Sequence, residues 1–270
     1  MKIYTVYTAK GGCGKTTTAI NLAAALTYYK KRVLLIDGDW QGNATRGLGL
    51  QPRDLEKTAL PDLLLEQIYN PNNGENMFSY CVRYLEEEKF SIIPTNVHMS
   101  NEEFRYVISE PQNRTVLKDI LQKQKDNYDY VIIDTPASLD GFLYLALLAS
   151  DGVIIPTEME YFSYDGLENV FHVIATHKKK TNPDLNIVGV LMNKTNKTEL
   201  SKAMSELIRE YAEDYNIYVF DAKIPKTSVL HDCSAEGVSI FHKSRRNSKA
   251  RLAFMDLAKE IIGLDKGKEK

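Results

Sequence analysis

Short apolar runs alternate along the chain with longer segments of helical periodicity. Six β-branched and aliphatic runs are predicted as strands, namely residues 3–8, 32–36, 90–94, 128–134, 152–156 and 187–192. Helical spacing predicts helices over residues 18–29, 55–69, 101 onward, 113–125, 165–178 and 199–215. Uninterrupted apolar strands are typical of a sheet buried on both faces, and strand–helix alternation favours parallel pairing. The pattern therefore predicts an α/β fold with a doubly wound, mostly parallel sheet flanked by helices.

Residues 51–90 fit this alternation less well than the rest of the chain. Residues 70–76 read Asn-Pro-Asn-Asn-Gly-Glu-Asn, a composition typical of a loop. We interpret 51–90 as a peripheral excursion from the sheet. Sheets of this kind commonly hold a chain of this length in one unit, so residues 1–270 are expected to form a single domain.

The first predicted strand and helix are joined by a glycine-rich turn. The turn reads Ala-Lys-Gly-Gly-Cys-Gly-Lys-Thr-Thr over residues 9–17. Glycines allow backbone N–H groups to converge on phosphate oxygens, and the helix N-terminus adds its positive dipole. Lys15 supplies a positive charge and Thr16 a hydroxyl for Mg²⁺. This order predicts a phosphate-binding loop, although Ala9 stands where the strict motif has its first glycine and Lys10 adds a second lysine.

The sequence K-G-G-x-G-K-T-T over residues 10–17 resembles the deviant phosphate loop of the ParA/MinD family of P-loop ATPases. The resemblance implies a MinD-like (SIMIBI) P-loop NTPase fold and ATP with Mg²⁺ as cofactors. It identifies Lys10 as the signature lysine that reaches the partner subunit's nucleotide. It also identifies Lys15 as the ordinary phosphate lysine. The expected nucleotide-binding residues of the loop are Lys10, Gly11, Gly12, Cys13, Gly14, Lys15, Thr16 and Thr17.

Carboxylates follow two of the predicted strands. Asp37 and Asp39 follow the strand at 32–36, and Asp134 ends the strand at 128–134. In an open α/β sheet, ligands bind at the carboxyl ends of the strands. Asp134 after an apolar strand is typical of a Walker B carboxylate and is expected to hold Mg²⁺ through water, since Mg²⁺ gives up its water reluctantly. Without the phosphate loop, each Asp could equally be a capping residue.

Three further segments resemble parts of the same family. Residues 37–45 are similar to switch I, which makes Asp39 the candidate for positioning the attacking water, although Trp40 replaces the usual proline. Residues 134–137 resemble switch II, with Ala137 where a second proline is frequent. Asn193 matches a position that recognises the adenine edge, with an ordinary turn asparagine as the alternative. Pro225 belongs to a segment that closes over the base.

Composition and charge exclude several classes of protein. The hydrophobic and charged fractions, 43% and 26%, are ordinary for a globular protein, and the formal net charge is −2. Three scattered cysteines suggest neither a disulfide framework nor a zinc site and fit a reducing cytoplasm. No signal peptide, membrane span or N-terminal helix-turn-helix domain is expected. DNA binding would therefore need a local basic patch.

One such patch lies near the C-terminus. Residues 223–270 contain 11 Lys or Arg against 6 Asp or Glu. On a helix predicted to begin near residue 244, neighbouring basic side chains would share a face and could bind DNA non-specifically. A solvated helix face is the alternative interpretation. The candidate DNA-binding residues are Lys243, Arg245, Arg246, Lys249 and Arg251.

The resemblance implies an ATPase that dimerises with ATP, binds non-specific DNA as the dimer and drives plasmid or chromosome partitioning. A ParB-like centromere-binding protein would stimulate hydrolysis, and the ATP-bound homodimer would associate with the nucleoid. A MinD-like membrane- or protein-positioning ATPase is the main alternative, but residues 265–270 lack the bulky apolar residues of a membrane-binding helix. A tyrosine kinase and an iron–sulfur reductase fit less well, whereas a non-catalytic interaction module that binds nucleotide without turning it over would carry the same loop and stays an alternative.

Overall fold

The computed structural model describes residues 1–139, 141–159, 163–243 and 246–268. Eight strands in these ranges form one sheet, and their bounds are β1 Lys2–Val6, β2 Val33–Asp37, β3 Arg83–Leu85, β4 Phe90–Ile93, β5 Tyr130–Asp134, β6 Gly152–Glu158, β7 Asn186–Thr195 and β8 Val219–Pro225.

Within the described ranges, twelve α-helices connect or cover these strands. Their bounds are α1 Lys15–Tyr28, α2 Asn43–Arg46, α3 Leu60–Tyr69, α4 Gly74–Cys81, α5 Glu102–Ser109, α6 Val116–Gln122, α7 Gly141–Ala149, α8 Ser163–Lys180, α9 Glu199–Asp214, α10 Ser228–Glu236, α11 Ile240–Lys243 and α12 Lys249–Lys268.

The strand order across the sheet is β3-β4-β2-β5-β1-β6-β7-β8, and every pair is parallel except β3 with β4. This arrangement confirms the predicted doubly wound, mostly parallel sheet. Strand β5 lies between β1 and β2, so the chain segments that follow these three strands emerge side by side. In the register, Asp134 is paired with Val6 on one side and with Asp37 on the other.

Helices cover both faces of the sheet because successive strand residues point to opposite sides. On β2, Val33 and Leu35 belong to a core shared with α1 and α12. The intervening Leu34 and Ile36 pack with α3, α6 and α7. The edge strand β8 is also shielded, because the Glu260 carboxylate of α12 accepts hydrogen bonds from two of its backbone N–H groups, Asp221 at 2.9 Å and Ala222 at 2.7 Å.

The 51–90 segment is less peripheral than its composition predicts. Leu60, Leu63 and Leu64 of α3 are fully buried against the sheet, and Phe78 and Cys81 of α4 join the same core. The expected loop at 70–76 is wrong in its last three residues, which begin α4. The segment also supplies β3, an antiparallel edge strand that the apolar pattern does not reveal.

Helix boundaries near the C-terminus also differ from the prediction. The helix expected to begin near residue 244 begins at Lys249, and residues 246–247 form a turn after the short helix α11. Arg246 therefore does not share a helical face with Lys249. Arg245 lies outside the described residues.

Candidate nucleotide site

The phosphate loop joins β1 to α1 at the middle of the sheet. Gly12 and Gly14 have φ angles of 80° and 83°, a left-handed backbone that glycine adopts without steric cost. A Cβ at Gly14 would also lie 2.9 Å from Nδ2 of Asn193, so this position has no room for a side chain. Gly14 is the N-cap of α1, and the helix N-terminus therefore faces the end of the loop.

Lys15 begins α1 and is buried. Burial lowers the pKa of its ammonium group, whereas the nearby carboxylates of Asp134 and Asp39 act in the opposite direction. Lys10, earlier in the loop, is half-buried. The Lys15 ammonium group thus places a positive charge close to two carboxylates at the base of the loop.

Asp134 is fully buried at the end of β5, and neither of its carboxylate oxygens makes a well-formed hydrogen bond among the described residues, although the Thr16 hydroxyl is close enough to act against the rise in its pKa. Burial, together with the neighbouring Asp37 charge, raises the pKa of Asp134 well above its usual range. The Asp37 carboxylate, in contrast, is hydrogen-bonded. Its Oδ2 accepts hydrogen bonds from the backbone N–H and the hydroxyl of Thr45 at 2.7 and 2.6 Å. Burial nevertheless raises the pKa of Asp37 to about 6.

An unpartnered buried carboxylate is costly unless a ligand supplies the missing partner. Asp134 with the Thr16 hydroxyl, which lines the adjoining cavity, forms an oxygen-rich set that fits Mg²⁺. Within the described residues, no group of three or more His, Cys, Asp or Glu could hold a metal ion. Mg²⁺ commonly uses one or two carboxylates and completes its coordination with phosphate oxygens and water.

The loop after β2 forms another wall of this cavity. Asp39 Oδ1 accepts a hydrogen bond from Gln41 N at 2.9 Å, and Asp39 O accepts one from Gly42 N at 2.8 Å. These bonds fix the turn without the proline that Trp40 replaces. The Trp40 side chain is 47% exposed at the rim of the cavity.

Two cavities adjoin the phosphate loop and share Gly12, Gly14 and Thr17 in their walls. The first, about 460 Å³, is lined by Lys15, Thr16 and Asp39 and also by residues 136–138, of which the first two belong to the segment that resembles switch II. The second, about 400 Å³, extends on the other side of the loop towards β7 and α10. Together they provide room for phosphates at one end and a larger group at the other.

Asn193 and Pro225 both line the second cavity. Asn193 Nδ2 donates to Cys13 O at 2.9 Å and to the Thr18 hydroxyl at 3.1 Å, so the amide group supports the phosphate loop. Its Oδ1 is buried and has no hydrogen-bond partner among the described residues. That oxygen could accept a hydrogen bond from an amino group of a bound base.

The basic residues near the C-terminus do not form one solvated face. Lys243 forms an ion pair with Glu236, and the neighbouring His242 lies 3.4 Å from Glu87. Arg246 and Lys249 are exposed. The acidic partners therefore reduce the positive charge at the start of this stretch.

The Arg251 side chain makes contacts within the fold rather than pointing freely into solvent. Its Nη1 donates to Phe241 O at 3.1 Å, and its guanidinium lies 4.9 Å from the Phe241 ring centroid and 5.8 Å from that of Tyr28. These contacts join α12 to α11 and α1. Arg251 is thus a less suitable DNA contact than its sequence position suggests.

Sequence reasoning assigned no role to Thr45, Glu158 or Lys194. Thr45 holds Asp37, and Lys194 contacts both Gly12 of the phosphate loop and Glu158 of β6. A polar residue at the end of an apolar strand, as at Glu158, is a detectable signal. The pairing of Lys194 with this residue depends on the alignment of β6 with β7 and has no local signature.

Comparisons with known proteins agree with this geometry. The family model described as AAA domain matches residues 1–187. The sporulation initiation inhibitor protein Soj of Bacillus subtilis is 34% identical over 261 residues, which cover 96% of this chain and 98% of Soj. The chromosome partitioning protein ParA of Myxococcus xanthus is 31% identical over 98% of this chain and 89% of its own length.

A solved structure shows the same architecture. Cobyrinic acid a,c-diamide synthase from Mycobacterium smegmatis, with bound ADP and magnesium, superposes with a TM-score of 0.80 and 26% identity over 98% of this chain and 96% of that one. Fold and loop geometry define a P-loop nucleotide-binding protein. The family match and the two relatives narrow this class further: the chain belongs to the AAA domain family and, within it, to the ParA-type partition ATPases.

Among the described residues, no helix has the combination of length and apolar content that a membrane span requires.

Proposed function

We propose that this protein is an Mg²⁺-dependent ATPase that dimerises with ATP, binds DNA non-specifically and partitions a plasmid or chromosome. The observation that supports it most is the buried Asp134 carboxylate, which has no well-formed hydrogen bond among the described residues and lies near Lys15 of the phosphate-loop cavity, in a chain that is similar to Soj over nearly its whole length. A carboxylate without a partner and a buried lysine are best explained by a bound metal–phosphate group.

The residues of this nucleotide site have separate proposed tasks. The backbone N–H groups of residues 11–14 and the Lys15 ammonium bind the phosphates, and Thr16 and Asp134 hold Mg²⁺, with Asp134 acting through water. Mg²⁺, when bound, neutralises charge that develops on the phosphate oxygens during transfer. Asp39, held by the turn after β2, orients the attacking water. Asn193 and Pro225 contact the base.

Lys10 is proposed to act across the interface of the ATP-bound homodimer. A positive charge that reaches the partner's γ-phosphate stabilises the transition state only when two subunits have associated. Hydrolysis removes a group that both subunits contact, so dimerisation becomes a nucleotide-dependent switch. A ParB-like centromere-binding protein would trigger that step.

DNA contact is proposed for the exposed Arg246 and Lys249, with the partly neutralised Lys243 nearby. Arg245 remains a candidate from sequence alone. Contacts with phosphate oxygens would be insensitive to base sequence and sensitive to salt. The protein would then work in the cytoplasm and associate with the nucleoid in its ATP form.

The decisive experiment is an anisotropy titration of random-sequence duplex DNA with the purified protein, without nucleotide, with ADP and with ATP and Mg²⁺, at several salt concentrations. We expect binding only with ATP and Mg²⁺, with log affinity falling linearly as log salt rises. Demonstrated ATP binding without DNA binding in any state would contradict the partition function. Co-sedimentation with anionic liposomes would then test a membrane-positioning ATPase.

A further inference from the structure

Lys194 connects the phosphate loop to the end of a neighbouring strand. Its Nζ donates a hydrogen bond to Gly12 O at 2.8 Å and lies 2.5 Å from Oε1 of Glu158. The contact with Glu158 is an ion pair by distance, although its angles do not meet hydrogen-bond geometry. One ammonium group therefore contacts a loop carbonyl and a carboxylate at the same time.

The backbone at Lys194 is unusual for a lysine. Its φ is 53°, in the left-handed region, and it lies where the register between β7 and β8 shifts. A non-glycine residue in this conformation costs on the order of 1–3 kcal/mol and persists where surrounding contacts require it. The conformation places the lysine beside the loop rather than along the strand.

Glu158 poses an electrostatic problem for this site. Only 7% of the residue is exposed, and it lines the second cavity together with Gly12 and Gly14. Burial, and then the Glu158 charge, raise the pKa of the Cys13 thiol in the phosphate loop. An unneutralised carboxylate at this position would repel an anionic ligand in the same loop.

We propose that Lys194 is a positioning residue for nucleotide binding: it neutralises Glu158 and holds the Gly12 carbonyl, so that the loop can accept phosphates. The inference rests on the proposed nucleotide site. The Lys194 side chain remains 48% exposed, although its Nζ contacts both the Gly12 carbonyl of the loop and the Glu158 carboxylate of β6. Neither contact requires Lys194 to touch the nucleotide.

The test measures binding of a fluorescent ATP analogue to the full chain and to Lys194→Met, Glu158→Gln and the double variant. We expect Lys194→Met to weaken binding about tenfold or more, because like charges in a partly buried site repel strongly. Glu158→Gln should bind no more weakly than the natural chain. The double variant should recover most of the lost affinity, since it no longer carries the unneutralised Glu158 charge that repels the nucleotide.

Lys197→Met is the matched control, because Lys197 is exposed beyond the end of the same strand. It should leave affinity unchanged. A double variant that binds as weakly as Lys194→Met would overturn the neutralising role, since it would mean that Lys194 acts on the nucleotide directly. Equal affinity of Lys194→Met and the natural chain would also overturn it.

A second readout needs no nucleotide. Hydrogen exchange of the amides in residues 10–17 should be faster in Lys194→Met, because the bond to Gly12 is lost, and unchanged in Lys197→Met. Unchanged exchange in Lys194→Met would contradict the contact. If the natural chain binds no ATP, the proposed function fails and exchange still tests the contact.

Lys194→Arg keeps the charge and should stay near the natural chain in both measurements. A loss of affinity equal to that of Lys194→Met would count against the inference.

Discussion

Asp37 and Asp134 occupy paired positions at the ends of β2 and β5, and both carboxyl groups are completely shielded from solvent. Thr45 provides Asp37 with two hydrogen bonds, while Asp134 has no well-formed hydrogen bond among the described residues and only the Thr16 hydroxyl close by. Two carboxylates at neighbouring strand ends repel each other, and burial raises the pKa of each. The ligand-free fold therefore carries an electrostatic cost at the place where a cation would remove it.

Replacing Asp134 by asparagine should change stability and ligand binding in opposite directions. Without metal, Asp134→Asn removes a buried charge beside Asp37 and should raise the free energy of unfolding by about 1–3 kcal/mol. The same change should abolish the tightening of ATP binding by Mg²⁺, because a carboxamide is a poorer Mg²⁺ ligand than a carboxylate. Urea unfolding in EDTA and nucleotide titrations with and without Mg²⁺ would measure the two effects.

The exposed Asp126 provides the matched control for this substitution. Asp126→Asn should leave both quantities close to those of the natural chain. A destabilised Asp134→Asn protein that still responds to Mg²⁺ would mean that Asp134 stabilises the fold and does not hold the metal.

Lys10→Ala should separate nucleotide binding from dimerisation. A monomer lacking Lys10 keeps Lys15 and the loop amides, so ATP affinity should stay within a few-fold of wild type, while the ATP-dependent dimer and stimulated turnover are lost. Lys15→Ala, in contrast, should lose ATP binding itself, because the charge facing the phosphates is gone. Light scattering with ATP and Mg²⁺ measures the dimer. A full ATP dimer formed by Lys10→Ala would exclude the trans role.

A separate cluster on the outer helices predicts a pH dependence. His177 of α8 packs edge-on against Tyr144 of α7 with ring centroids 4.5 Å apart, and the Arg114 guanidinium lies 4.6 Å from the same Tyr144 ring. Burial, and then the charges of Arg114 and Lys180, lower the pKa of His177. The neutral imidazole is therefore the form that the folded protein prefers.

The sign of this dependence follows from proton counts in the two states. Below about pH 6.5 the unfolded chain binds a proton at His177 before the folded chain does, so stability falls as pH decreases through the lowered folded pKa. His177→Phe keeps a ring against Tyr144 and should flatten this part of the profile of unfolding free energy against pH. His172→Phe, at an exposed position on the same helix, should give a profile parallel to that of the natural chain. A His177→Phe profile that is also parallel to that of the natural chain would refute the assignment of this pH dependence to His177.

A structural feature can be predicted from the sequence when the residues that form it are close together along the chain. The phosphate loop is encoded by consecutive residues between a strand and a helix, so its position could be read directly from Gly12, Gly14 and Lys15. Asp134 could be predicted because it directly ends an apolar strand. The sheet order then brings that strand end beside the loop, in agreement with the expected topology.

The missing predictions have two different physical causes. Helix α7 was not anticipated, because Phe142, Leu145 and Leu148 are buried along with most of their neighbours, and a helix that is apolar all round has no 3.6-residue periodicity. The packing of Arg251 and the contacts of Lys194 could not be predicted because their partners lie elsewhere in the chain, 10 residues away for Phe241 and 182 for Gly12. Such contacts depend on tertiary packing rather than on local pattern.

Arg251 provides the last test, because its environment separates a structural role from DNA binding. It donates to Phe241 O and packs against the rings of Phe241 and Tyr28. Arg251→Ala should lower the free energy of unfolding by about 1–2 kcal/mol, through a lost charged hydrogen bond and a lost cation–π contact. Arg246→Ala and Lys249→Ala, at exposed positions, should change it by less than about 0.5 kcal/mol.

DNA binding should show the reverse order of effects. Under conditions where each variant is folded, removing Arg246 and Lys249 together should weaken binding to random-sequence DNA and reduce the slope of log affinity against log salt by about one for each lost phosphate contact. Arg251→Ala should leave that slope unchanged, since its guanidinium is already engaged by α11 and α1. A reduced salt slope in Arg251→Ala with wild-type unfolding free energy would show that Arg251 faces DNA, and that its packing against Phe241 contributes nothing to the fold.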